Sequence, residues 1–444
     1  MVALALSIAA LFLSLSLLVA GSGLLGTLVA LRLDIEGFSE ATVGIMMATY
    51  SAGFVLGAMS APRIIRGVGH IRAFCAFAAV ACASVLWHPL MISLEVWLLL
   101  RLLVGFCLAG LMTVTESWIN DRATNASRGK LLGSYTINFY LASALGQYLI
   151  SISDPGGMVL FSVVAMLMVL SLVPLALTRS EVPIPPVEPG HMGLWHLMRT
   201  APSGITGSLV AGMTIGAFLA LAPLYALRQG LEMEVLSLYM AASVLSAIIL
   251  QWPAGWLSDR IGRLPVLVGL LFLGSLAAAA AALLGGMSVV ALFVSSGAFF
   301  AAAAVLYPVS VALTNDQLPG EQLMAACAIL LRVYGLGAIT GPLLAALLME
   351  LLGAPALFVF ISLVLLASAL LVHYVFRIMD YVTLDEQGNY VPVTAMSTAV
   401  LTEIDPRNEA FEEHHPEPAE GWDEADEIEY ETLHEDGRED RNSH

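Results

Sequence analysis

Three charged side chains lie in stretches of this chain that are dominated by apolar residues, and they are its first candidates for chemistry. They are Arg101, Glu116 and Arg332. A desolvated arginine can bind an anionic group, and a desolvated carboxyl can take up and release a proton. Because a charge in apolar surroundings is costly unless it is paired, each of the three is a candidate for binding or proton transfer.

A second set of candidates is polar but uncharged and lies in the same apolar stretches. Such side chains can line a cavity, or they can hydrogen-bond neighbouring helices, and the sequence leaves both interpretations open. We include four of them with the three charges in a predicted substrate or proton pathway: Asn138, Gln147, Tyr307 and Tyr334.

The sequence favours neither metal binding nor covalent catalysis. Its four cysteines match neither a zinc site nor a CxxC redox pair in spacing, so we interpret them as small core residues. The apolar stretches hold no His-Asp-Glu cluster, the chain has no P-loop, and neither its apolar part nor its tail has a basic face for nucleic acid. We therefore predict no enzyme activity, no metal, no cofactor and no nucleic-acid partner.

One short segment concentrates charge. GWLSDRIGR, residues 255–263, places Asp259, Arg260 and Arg263 within five positions. A tight connection between two helices leaves orphan carbonyls at one helix end and orphan amides at the next, and charges complement these ends. We interpret the segment as a charged turn between two helices.

Long apolar segments must position these residues. The chain is 59% hydrophobic and 12% charged, which is typical of a membrane protein. A helix needs about 20 apolar residues to cross a bilayer, and twelve segments come near that length. We predict spans at about 5–31, 41–61, 73–93, 96–118, 132–152, 157–178, 204–226, 235–256, 265–285, 287–313, 322–350 and 354–376.

The charges outside these spans predict orientation and domain organisation. Arg and Lys are concentrated in alternate loops, whereas the opposite loops hold only Arg32 and Arg228, so we expect both termini on the cytoplasmic side of a bacterial inner membrane. Residues 180–203, rich in proline and charge, predict a linker between a half at 1–179 and a half at 204–379. Residues 380–444 hold 20 acidic residues and account for the net charge of −17, so we predict a largely disordered acidic tail. Within that tail, 381–393 can form a small hairpin and 394–405 a short docking helix, or the whole can be a solvated spacer.

An internal repeat supports two similar halves. The pairs Asn120-Asp121 and Asn315-Asp316 follow spans four and ten, 195 positions apart. Gly146 and Gly341 are separated by the same distance and lie in the following spans. Two six-helix halves in parallel orientation explain this offset.

The charged turn resembles the cytoplasmic-loop signature of the major facilitator superfamily, G-x-L-x-D-R-x-G-R. The resemblance implies a gating motif formed by Gly255, Asp259, Arg260, Gly262 and Arg263. In the first half Gly57 and Arg72 match the pattern, but Ala61 stands where the acid belongs, so that copy is degenerate.

Further motifs are similar to the YcaD-like branch of bacterial permeases. They comprise Pro62-Arg63, Gly69-His70-Ile71-Arg72, Glu116-Ser117-Trp118, Arg128-Gly129-Lys130, Gly146-Gln147 and Tyr307-Pro308-Val309-Ser310. This resemblance covers about residues 5–376 and implies a transporter without naming its cargo. It implies the major facilitator fold, an all-α membrane protein of twelve helices in two six-helix halves.

Two interpretations stay open for the charged turn, for Arg332 and for Glu116. The turn at 255–263 can be a latch that forms and breaks as the halves rock, or a static anchor of topology. Arg332, about 15 Å into its span and the deepest charge in the chain, can bind an anionic substrate group or pair with Glu116. Glu116 can carry a proton or extend to the membrane surface beside Trp118. Arg101 lies about 22 Å along the same helix from Glu116, too far for direct contact.

We predict a secondary active transporter that moves a small solute by alternating access, coupled to protons and acting as a monomer. The alternative is a membrane sensor or scaffold that uses a permease fold to present the acidic tail.

Overall fold

The chain folds into a bundle of long helices. The computed structural model describes residues 2–121, 123, 127–177 and 192–377 and, further on, Leu384, Gln387, Gly388, Tyr390, Thr394 and Leu401. No β-strand occurs among these residues. The α-helices are α1 (Val2–Ile35), α2 (Glu40–Val68), α3 (His70–Trp87), α4 (Leu94–Asp121), α5 (Arg128–Tyr148), α6 (Val159–Leu170), α7 (Leu172–Leu177), α8 (Leu194–Thr200), α9 (Pro202–Arg228), α10 (Met233–Leu245), α11 (Ala247–Ile261), α12 (Arg263–Leu284), α13 (Val289–Asn315), α14 (Leu323–Leu352) and α15 (Ala356–Phe376).

Each predicted span coincides with one helix or with a pair of helices. Span six is divided at Ser171 into α6 and α7, and span eight at Ser246 into α10 and α11. Within the described residues, 10 helical segments are long and apolar enough to cross a membrane. The other two positions belong to α5, which carries several polar side chains, and to the shorter segment Val159–Leu175. The predicted all-α membrane fold is confirmed, and the helices are consistent with twelve spans.

The predicted linker and tail fall largely outside the described residues. The described part of the linker contains the short helix α8, in which Leu197 is buried and Trp195 is exposed. The hairpin predicted at 381–393 and the docking helix predicted at 394–405 lie outside the described residues, apart from the isolated positions named above. The domain boundaries therefore stay predictions.

Local structure repeats where the sequence repeats. Gly69 ends α2 and precedes α3 with φ 85°, and Gly262 ends α11 and precedes α12 with φ 95°. This left-handed region is accessible mainly to glycine, so both turns require that residue. In the following part of each repeat, a β-carbon on Gly146 would lie 2.2 Å from an α1 carbonyl, and one on Gly341 would lie 2.1 Å from an α9 carbonyl. The same close helix contacts therefore recur at the predicted offset.

Two helix sets pack against each other to form the bundle. We call α1–α7 the first helix set and α9–α15 the second. They meet where α2 packs on α14, α1 on α9 and α5 on α10. The end of the bundle that carries residues 255–263 is called the motif end, and the opposite end, where α1 and α9 finish, is called the far end.

Candidate functional site

A cavity of about 160 Å³ lies at the centre of the bundle between the two helix sets. α1, α2, α4 and α5 form one wall, and α9 and α14 form the other. Most lining residues are apolar, and a few polar groups converge among them, which is the usual composition of a small-molecule site. The polar members of the lining are Ser22, Tyr50, Ser51, Arg101, Ser143, Gln147 and Tyr334.

Arg101 supplies positive charge to the cavity wall. Its side chain is 2% exposed, and its guanidinium carbon lies 4.5 Å from the centre of the Tyr50 ring. Nη2 donates to Met47 Sδ at 3.2 Å, whereas Nε has no hydrogen-bond partner. No carboxylate in the described part of the chain forms an ion pair with it. A thioether and a ring are weak partners for a desolvated cation, so the wall is electrostatically suited to an anion.

Polar contacts hold the other lining groups in place. The Tyr50 hydroxyl lies 3.3 Å from Ser22 Oγ, and Thr27 donates to the Gln147 side-chain oxygen. Tyr334 faces the cavity and packs edge-on against Tyr307, with ring centres 5.4 Å apart. Tyr307 is buried behind this wall and does not line the cavity. The predicted residues Arg101, Gln147 and Tyr334 are thus brought together.

Glu116 and Asn138 lie outside the cavity lining. Glu116 is 0% exposed and accepts a hydrogen bond of 2.6 Å from the Tyr135 hydroxyl, so its carboxyl does not extend to the membrane surface. Asn138 joins α5 to α1, because its amide donates to the Phe12 carbonyl at 3.2 Å and its oxygen accepts from Ser16 at 2.8 Å. Asn138 therefore has the helix-bonding geometry that the sequence left open.

Arg332 lies well inside α14, as predicted, but it is not part of the cavity lining. Its side chain is exposed, on the same face of α14 as Leu336, whereas Leu331 and Tyr334 face the cavity. It forms no ion pair with Glu116. The reason is helical phase, since neighbouring residues on a helix point about 100° apart and depth along the axis does not determine facing.

The charged turn forms a compact ion cluster at the motif end. The Arg263 side chain is 0% exposed; its Nε lies 3.0 Å from Asp316 Oδ2 and its Nη1 lies 2.6 Å from Asp259 Oδ1. Nη1 also donates to Ser258 Oγ at 2.7 Å. These contacts tie α11, α12 and the end of α13 together within the second helix set. Gly262 makes the cluster possible, because its positive φ lets α12 begin directly at Arg263.

The remaining predicted gating residues are dispersed. The Arg260 guanidinium lies 3.9 Å from the centre of the Trp256 ring, on the exposed face of α11. Arg72 is exposed near the start of α3. Gly57 serves close packing, since a β-carbon there would lie 2.3 Å from the Phe106 carbonyl of α4. His70 occupies the place in the first set that Arg263 has in the second, and it is buried.

Ion pairs between the sets lie at the far end, and our sequence reasoning missed them. Arg228 at the end of α9 lies 2.6 Å from Asp34 of α1 and 3.2 Å from Glu40 of α2. Glu350 near the end of α14 accepts from the Ala41 amide at 3.2 Å. The signal was available, because Arg228 is one of the few basic residues in loops that also hold several acids.

Two related sets of membrane-crossing helices around a central cavity define a membrane transporter of the two-halved type. The family model described as Major Facilitator Superfamily matches residues 10–301 and 233–391 of the chain. The chain belongs to the major facilitator superfamily.

Similar proteins agree with this assignment. The chain is 30% identical to the uncharacterised MFS-type transporter YE1530 of Yersinia enterocolitica, with 76% of this chain and 87% of that protein covered. It is also 30% identical to the uncharacterised MFS-type transporter YcaD of Escherichia fergusonii, with 78% and 90% covered. Among solved structures, that of the nucleoside transporter NupG matches with a TM-score of 0.68 and 14% identity, covering 85% of this chain and 100% of that one. The protein is therefore a multi-pass membrane transporter for a small molecule and not an enzyme.

Proposed function

We propose that this protein is a secondary active transporter that carries a small solute with an anionic group by alternating access around the central cavity. The observation that carries the proposal is Arg101, a buried cation in the cavity wall that no carboxylate of the described chain neutralises. An anion bound there satisfies the guanidinium, and the apolar lining accommodates an apolar body.

Alternating access is supported by where the two helix sets touch. The cavity lies between the sets, and ion pairs between them lie at the far end, where they can break and reform. Rocking one set against the other then exposes the cavity to each side in turn. The basic residues at the motif end make it the cytoplasmic end, so we place both termini in the cytoplasm and the protein, as a monomer, in the inner membrane.

Proton coupling is proposed for Glu116. Its carboxyl is fully buried in α4, bonded to the Tyr135 hydroxyl of α5, and lies near Tyr307 of the second helix set. A buried carboxyl at the boundary between moving parts can bind a proton in one arrangement and release it in the other.

A binding assay tests the anion requirement directly. Benzoate and hexanoate, with their uncharged amides as matched controls, are added to purified protein in detergent and thermal unfolding is followed. We expect an acid at saturating concentration to raise the Tm by about 2 °C or more, and its amide not to do so.

Two arginine variants test whether the acids bind in the cavity or elsewhere on the bundle. Arg101→Ala should abolish the stabilisation by acids, and Arg332→Ala should preserve it, because Arg332 faces away from the cavity. Equal stabilisation by acids and amides, or an acid effect that survives in Arg101→Ala, would contradict anion recognition at this site.

A further inference from the structure

Residues of the C-terminal region bind the ion cluster at the motif end through their backbone. The Gly388 amide donates to Asp316 Oδ1 at 3.3 Å, and the Gly388 carbonyl accepts from Arg263 Nη2. The Tyr390 amide donates to Asp259 Oδ1 at 3.1 Å. Charged partners make these bonds stronger than neutral ones. The acid and the buried base of the gating motif are therefore both engaged by the chain's own C-terminal region.

The Tyr390 ring packs on α11 against Gly255 and Gln251, and we call this position its seat. A β-carbon on Gly255 would lie 2.3 Å from this ring, so only glycine leaves room for it. The Tyr390 hydroxyl donates to Gln251 Oε1 at 3.4 Å, one turn along α11, and the Arg263 guanidinium lies 5.9 Å from the ring centre. Tyr390 is half-buried, and further along the chain Thr394 and Leu401 are buried.

This seat lies where the two helix sets separate. α5 of the first set packs extensively on α10 but only slightly on α11, which continues toward the motif end. Tyr140 of α5 lies near both Gln251 and Tyr390, so the ring stands beside the place where α5 approaches α11. At the far end, Arg228 holds the sets together.

Leu384 and Gln387 lie beside Gly262, since a β-carbon there would be 3.8 Å from each side chain. We propose that Leu384, Gln387, Gly388 and Tyr390 form a strap that regulates transport. When docked, the strap prevents α11 from closing onto α5, so the far end stays shut and the cavity does not open outward. Undocking frees both the seat and the ion cluster. This regulation rests on the alternating access proposed above, and it gives the C-terminal region an inhibitory role that neither a spacer nor a scaffold requires.

The contacts suit reversible docking. Each bond is modest in net free energy, so a few of them can hold the strap without fixing it permanently. Burial raises the pKa of Tyr390 above its ordinary value of 10, and the phenol is therefore neutral at physiological pH. Docking of the ring should not change between pH 6 and pH 8.

Labelling of a cavity cysteine from outside tests the strap without any knowledge of the cargo. Cys75, Cys82, Cys107 and Cys327 are replaced by alanine, and Ser51→Cys is introduced in the cavity wall. A membrane-impermeant maleimide is then applied to spheroplasts. A chain ending at residue 383 should be labelled about tenfold faster than the full chain, since several hydrogen bonds are lost.

Point variants locate the effect. Tyr390→Ala and Gly255→Ala should both raise outside labelling, the first by removing the ring and the second by filling its seat. Tyr390→Phe keeps the ring, and a chain ending at residue 401 keeps the strap while losing the distal acidic residues, so both should label like the full chain. Size-exclusion profiles and Tm values verify that every variant is folded.

A disulfide that holds the strap docked should strengthen its inhibition of outward opening. Gly255→Cys with Tyr390→Cys should, when oxidised, suppress outside labelling, and reduction should restore it. Labelling is read at Ser51→Cys by mass spectrometry of the peptide that contains it, so that thiols of the reduced pair do not add to the signal.

Three results would overturn the strap: unchanged labelling in the chain ending at residue 383, faster labelling only in inside-out vesicles, or an equal increase in the chain ending at residue 401. Arg228→Ala should speed outside labelling in the full chain whether or not the strap acts, because it breaks the far-end ion pairs. Unchanged labelling in Arg228→Ala would contradict alternating access, whereas faster labelling in Arg228→Ala but not in the chain ending at residue 383 would contradict the strap alone.

Discussion

The direction in which a charged side chain points, rather than its position along the helix, distinguishes the charged residues of the bundle. The apolar stretches correctly identified Arg101 and Glu116 as embedded, and both are buried. The same criterion ranked Arg332 above them, yet its position on α14 turns it away from the cavity. One sequence gives the distance of a residue along a helix but not which neighbouring helix covers each face, because apolar residues surround membrane helices on all sides.

Glu116→Gln tests the proton role at the residue scale. Glutamine keeps an oxygen that accepts the Tyr135 hydroxyl bond, so the fold should be retained. The anion found by thermal shift is added outside proteoliposomes, and its uptake driven by an imposed pH gradient should fall to background. Exchange of the same anion in preloaded proteoliposomes without a gradient should persist. Tyr135→Phe is the milder control. Accumulation by Glu116→Gln that still follows the pH gradient would exclude this carboxyl as the proton carrier.

Helix positions followed from apolar length, and their contacts followed partly from the repeat. The offset of 195 residues predicted equivalent glycines, and Gly146 and Gly341 make equivalent close contacts. The break at Ser246 between α10 and α11 carried no proline or glycine signal. The loop charges signalled ion pairs at the far end, but the sequence did not show which residues pair, since the partners lie 194 and 188 positions apart and meet through tertiary packing.

Matched glycine substitutions in α5 test the packing at the scale of the element. A β-carbon on Gly146 would lie 2.2 Å from the Ala20 carbonyl, whereas one on Gly133 meets nothing within 4 Å. Gly146→Ala should therefore destabilise the protein by about 1–3 kcal/mol through overpacking. Gly133→Ala should be neutral or stabilising by up to about 1 kcal/mol, because alanine favours the helix. Thermal unfolding in detergent measures both, and equal Tm values would show that α5 and α1 are not in close contact.

At the scale of the whole molecule, the ion pairs at the two ends have different roles. The far end joins the first and second sets through Arg228, whereas the ion cluster at the motif end ties together helices of the second set. The predicted latch at the motif end thus has its counterpart between the sets at the opposite end. The sequence resemblance identified the gating motif but could not show whether its residues contact the other helix set, because those contacts depend on the conformation of the transporter.

Paired distances at the two ends test alternating access most directly. Spin labels at Val68 and Ile261 report the motif end, and labels at Ile92 and Glu232 report the far end; all four side chains are exposed. Arg228→Ala should lengthen the far-end distance in part of the population and shorten the motif-end distance in a matching part. Arg32→Ala breaks only the pair with Glu36, which lies just after the end of α1 in the same helix set, and should change neither distance. Single, unchanged distance distributions at both ends in Arg228→Ala would contradict rocking of the two helix sets around the central cavity.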